Sequence, residues 1–117
     1  MPRKNDDFKG FVTDVKSEKP LPLKFELSQN YPNPFNPTTT IKYTIPFVKT
    51  LHATSLQSIQ LKIYDVLGRE VATLVNRKQQ PGNYEVSFNA VGLASGIYFY
   101  RLTAGNKISV KKMMLIK

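Results

Sequence analysis

The sequence has no cysteine, a single histidine, and no apolar run approaching the roughly 20 residues a membrane-spanning helix needs. Without cysteine, neither a disulfide framework nor a thiolate metal site is available. The lone His52 sits in the least patterned part of the chain. A Ser–His–Asp arrangement would need it beside Ser55 or Ser58 and Asp65, with an oxyanion hole that nothing in the pattern supplies. The eight acidic residues are scattered, and Asp6 and Asp7 are adjacent rather than spaced as in a calcium loop. No glycine-rich phosphate loop is present, since Gly92 and Gly96 lead into a strand rather than a helix N-terminus. The expectation is a non-enzymatic chain with no cofactor and no metal.

What is present is basic and β-patterned. The 117 residues suffice for one modest domain, and the net charge of +9 points to an acidic partner, a nucleic acid or an anionic membrane surface, or to a plain solvated basic face with a basic tail. Met1 to Asp7 carries no apolar segment behind its basic residues, so the chain reads as lacking a signal peptide. Residues 1–24 have little periodicity and end in Lys19-Pro20-Leu21-Pro22-Leu23, an extended, partly ordered tether. The domain proper is taken as residues 25–117.

Tyr31-Pro32-Asn33-Pro34-Phe35-Asn36-Pro37 is the most individual stretch. Each proline lacks a backbone donor and fixes φ, and each constrains the residue before it, which excludes a helix or a central strand. The reading is a stiff, extended, turn-prone strap with Tyr31 and Phe35 as its large apolar anchors. Strict alternation follows, with Ile41, Tyr43 and Ile45 against Thr40, Lys42 and Thr44, the pattern of a strand with one buried face.

Further strands are expected at Ile59–Tyr64, Glu70–Val75, Tyr84–Phe88, Gly96–Leu102 and Lys107–Ile116, with a short edge strand near Phe25–Ser28. Gly68 and the Gly105-Asn106 pair mark turns that need positive φ, and Asn76–Asn83 reads as a turn. About seven short strands with almost no helix make an all-β fold, a small antiparallel sandwich. In Tyr98-Phe99-Tyr100-Arg101, alternation puts Phe99 opposite Tyr98 and Tyr100, so no single open base-stacking face is implied and no nucleic acid is expected. An accessory module binding carbohydrate remains the alternative, with Tyr31, Tyr64 and Tyr98 as candidate aromatics. The apolar end of the last strand must pair internally or be offered to a partner by strand addition.

The strap with Thr38-Thr39-Thr40-Ile41-Lys42-Tyr43 resembles the opening motif of type A C-terminal sorting domains of the type IX secretion system. Leu61 to Leu74, Pro81 to Val86, Ser95 to Leu102 and Lys111 to Lys117 resemble the later motifs in the same order, over residues 25–117. The resemblance implies an immunoglobulin-like β-sandwich that is not an enzyme but an address. It would direct cargo across the outer membrane for surface attachment or release, recognised by the translocon, a shuttle protein and a sortase. Recognition is then expected from Gly105, Lys111, Lys112, Met113, Met114, Leu115, Ile116 and Lys117, with Tyr31 to Pro37, Gly68 and Gly96 as structural motif positions and a cut in the tether before Phe25. The Phe47–Ser58 connection is longer than such domains usually have. An N-terminal cargo domain and its export signal are expected upstream, in a larger precursor at the cell surface or outside the cell.

Overall fold

The computed structural model describes residues 24–47 and 56–117. Seven strands run through them: β1 (Glu26–Leu27), β2 (Thr38–Ile45), β3 (Gln57–Tyr64), β4 (Glu70–Gln79), β5 (Gly82–Asn89), β6 (Gly96–Ala104) and β7 (Lys107–Leu115). A three-stranded sheet has the order β1-β2-β5 and a four-stranded sheet the order β4-β3-β6-β7. Every strand pairing is antiparallel. His52, Ser55, the tether and most of the long Phe47–Ser58 connection lie outside the described residues. Among the described residues no helix is long and apolar enough to cross a membrane.

The alternation in the sequence sets the inner faces. Ile41, Tyr43 and Ile45 of β2 are buried, as are Ile59, Leu61 and Ile63 of β3 and Tyr98, Tyr100, Leu102 and Ala104 of β6. Each fully buried Ile or Leu contributes about 1.5–3 kcal/mol relative to an exposed position. A one-residue slip in any of these strands would turn that set to water, so burial holds the register. Lys42, paired with Glu85, takes the opposite face of β2. On β6 the alternation puts Phe99 and Arg101 on the outer face, opposite Tyr98 and Tyr100.

Two details differ from the sequence reading. Strand β4 does not stop at Val75 but continues to Gln79, leaving only Gln80 and Pro81 between it and β5. The Tyr43 hydroxyl donates to Gln79 Oε1 at 2.7 Å, so a polar pair inside the core holds this extension, which apolar periodicity cannot reveal. The Tyr31 ring does not anchor the strap: it is 81% exposed and only its backbone holds, exchanging hydrogen bonds with Thr40 at 2.9 and 3.0 Å, whereas Phe35 is buried against Phe88 with ring centroids 6.1 Å apart. The three X–Pro bonds of the strap are cis.

Candidate functional site

Strand β7 forms a tight hairpin with β6. Gly105 makes the turn at φ +61°, a conformation costly for residues with a Cβ. The register runs from Ala104 opposite Lys107 to Gly96 opposite Leu115. Met113 and Leu115 point inward and are buried, while Met114 and Ile116 are exposed. Lys112 and Lys117 are exposed, and Lys111 is half-buried. The recognition residues expected from sequence thus lie on one hairpin, but on two faces of it. Met113 and Leu115 are core, Lys111 is half-buried, and Gly105, Lys112, Met114, Ile116 and Lys117 are exposed.

The other edge of β7 is partly covered, and the proline strap covers it. Phe35 donates its N–H to the Met114 carbonyl at 3.0 Å and accepts the Ile116 N–H at 3.0 Å, a short parallel bridge. The Met114 N–H donates to Asn33 Oδ1 at 3.0 Å, and Gln29 Nε2 donates to the Lys112 carbonyl at 2.8 Å. Beyond the strand, the Lys117 N–H reaches Ser95 Oγ at 3.0 Å and its Nζ reaches the Val91 carbonyl at 2.6 Å. The first and last motifs of the domain, some eighty positions apart in sequence, are one structural unit.

A buried polar network locks the strap in place. Asn30 is 2% exposed; its Nδ2 donates to Thr39 Oγ1 at 3.0 Å and to the Pro32 carbonyl at 3.1 Å. The Thr39 hydroxyl donates to the same Pro32 carbonyl at 2.9 Å. Tyr100, fully buried on β6, donates its hydroxyl to the Ser28 carbonyl and accepts the Asn30 N–H. Burial pushes the Tyr100 phenol up to about 12, against the smaller lowering effect of the Asn30 N–H. Gln29, Asn30 and Thr39 carry no signal in apolar periodicity, and alternation marks the Tyr100 ring as buried without revealing its hydroxyl's partners. The one hint in the sequence is a polar Asn30–Thr39 pair bracketing the strap.

Gly68 makes the β3–β4 turn at φ +83°. Asp65 accepts the backbone N–H of Leu67 and Arg69 and pairs with the Arg69 side chain at 2.8 Å. These contacts, led by the Arg69 backbone N–H, hold the Asp65 carboxyl below the ordinary carboxylate value. Asp65 is thus committed to a turn. Glu70 likewise lies below its ordinary value, first through the Thr73 hydroxyl and then through Lys62, 3.3 Å away. Among the described residues no group of three or more His, Asp or Glu side chains could hold a metal ion.

The three tyrosines weighed as a carbohydrate platform do not share a face. Tyr98 is buried, Tyr64 lies on the outer face of the four-stranded sheet beneath Arg101, whose guanidinium is 4.9 Å from the ring centroid, and Tyr31 stands over the other sheet.

The described residues thus form an all-β sandwich whose proline strap clamps its last strand. The secretion system C-terminal sorting domain family model matches residues 29–117, and the chain belongs to that family. It therefore carries a C-terminal sorting signal for type IX secretion. A search of curated proteins found no match to the chain.

Proposed function

We propose that this domain is the address by which a larger exported precursor is carried through the outer-membrane translocon, for attachment at the surface or release. The β6–β7 hairpin is the part the shuttle and translocon read, and the sortase cut falls in the tether before Phe25. The observation that carries this reading is the union of strap and final strand. Asn33 and Phe35 bond the backbone of Met114 and Ile116, so the terminal motif is displayed only in a folded sandwich. Recognition rests on the exposed Lys112, Met114, Ile116 and Lys117, with Lys111 at their border, while Met113 and Leu115 hold the strand in register.

The reading is tested with an exported reporter fused to residues 24–117, expressed in a bacterium that has the type IX apparatus. Removing Lys111–Lys117 abolishes its appearance at the surface or in the medium. Because that truncation also removes two core residues, Lys111→Glu with Lys112→Glu is the companion variant; it keeps the core and is expected to reduce delivery. Normal delivery by both would refute the assignment.

A further inference from the structure

The strap covers only the end of the β7 edge. Backbone groups of an antiparallel strand alternate between bonding the neighbour and pointing away. Met114 and Ile116 point away from β6, since they bond Phe35 and Asn33, and the Lys112 carbonyl meets Gln29. With a period of two, Ile108 and Val110 turn their N–H and C=O groups to the same open side, as Lys112 does its N–H. Among the described residues nothing bonds the backbone of Ile108 or Val110 on that side, and their side chains are 61% and 53% exposed. The open slot is therefore Ile108–Lys112, ending where Gln29 begins.

The charge around the slot selects its occupant. Lys107 and Lys112 stand at the slot's two ends with Lys111 between them, and Arg101 sits beside Val110 in the β6–β7 register. Two carboxylates lie nearby, Asp65, which shares a surface hollow with Arg101 and Val110 but is paired with Arg69, and Glu26 on β1, which packs against β7, so basic charge is in excess along the slot. A second copy pairing here would bring its own three lysines alongside these, a crowding of like charge of the kind by which natural edges resist self-association. An extended segment carrying carboxylates would meet compensating charge, and its alternate apolar residues would continue the row of Ile108 and Val110.

We propose that Ile108–Lys112 is a strand-addition site for an extended, acidic segment of a partner protein, with apolar residues between its acids. This deepens the sorting reading and rests on it: the slot is where the secretion apparatus engages the hairpin. Main-chain hydrogen bonds supply the affinity, and the lysines select an acidic strand.

The test uses the 117-residue chain, isotope-labelled for NMR, and two short capped peptides, one alternating glutamate with valine and the other lysine with valine. The glutamate peptide is expected to shift and protect the amides of Ile108, Val110 and Lys112 while leaving the Met114 and Ile116 amides as they are. Val110→Pro removes an outward N–H without touching the β6–β7 ladder, and is expected to weaken binding roughly tenfold or more. Lys107→Glu with Lys112→Glu is expected to do the same without altering the backbone. Equal binding of both peptides, equal binding by Val110→Pro, or self-association through Ile108–Val110 in place of peptide binding overturns the proposal. In the reporter fusion, delivery of Val110→Pro at the wild-type level overturns the slot but leaves the sorting role standing. Failure of the wild-type fusion overturns the sorting role instead.

Discussion

Tyr100 on β6 and Asn30 at the entry to the strap meet through one hydroxyl: it accepts the Asn30 N–H at 2.8 Å and donates to the Ser28 carbonyl at 2.7 Å. A single buried phenol thereby satisfies two backbone groups of the segment leading to the prolines. Tyr100→Phe keeps the ring and leaves both groups unpaired, at an expected cost of about 1–3 kcal/mol. Urea denaturation of the two proteins measures it, and an unchanged midpoint would show that the strap does not depend on this contact.

The same tyrosine gives the domain a limit at high pH. Its folded value is raised to about 12 from an ordinary 10.0, so above 10.0 the unfolded chain sheds a proton that the native state keeps. Its contribution is complete below 10.0 and is lost as pH rises toward about 12. Tyr43, raised chiefly by burial, acts in the same direction. Stability should therefore fall across this window, and fall less steeply in Tyr100→Phe; a parallel decline in the two proteins would contradict this.

Phe35 and Tyr31, four positions apart on the strap, should behave oppositely. Phe35→Ala removes a ring that is 2% exposed and is expected to cost about 3–5 kcal/mol, with faster hydrogen exchange at Ile116 as the strap loosens from β7. Tyr31→Ala should change stability by less than about 0.5 kcal/mol, because that ring is in water. Thermal melts of both variants decide it.

Gly105 tests the hairpin turn. A Cβ there would meet only Gln57 Oε1 at 3.8 Å, so space is not the obstacle; the φ of +61° is. Gly105→Ala should cost about 1–2 kcal/mol, and Gly105→Asn less, since Asn tolerates this region. Equal melting of all three proteins would show that the turn relaxes to another form.

The sandwich was legible because burial imposes a period of two. The inward sets of β2, β3 and β6 follow directly from Ile41-Lys42-Tyr43, Ile59-Gln60-Leu61 and Tyr98-Phe99-Tyr100. On β7 that signal is blurred. Ile108, Val110 and Met114 are as apolar as Met113 and Leu115, so composition does not separate the exposed row from the core row. The strap shows a related limit. Proline chemistry marks it as special, yet Tyr31 and Phe35 look like equal anchors until the fold places one ring in water. The Asn30–Thr39–Tyr100 network was illegible because partners so far apart in sequence leave no periodic trace. The clamp of Phe35 and Asn33 on β7 was hidden for the same reason, although both of its halves stood out individually.

The central claim is that this sandwich is read as an address by the type IX apparatus. The most direct measurement is protease accessibility, on whole cells, of an exported reporter fused to residues 24–117, compared between cells with an intact translocon and cells in which it is disabled. The reporter is expected outside the outer membrane only where the translocon is intact, and in the periplasm otherwise. Retention in the periplasm of both strains, or exposure in both, would contradict the account.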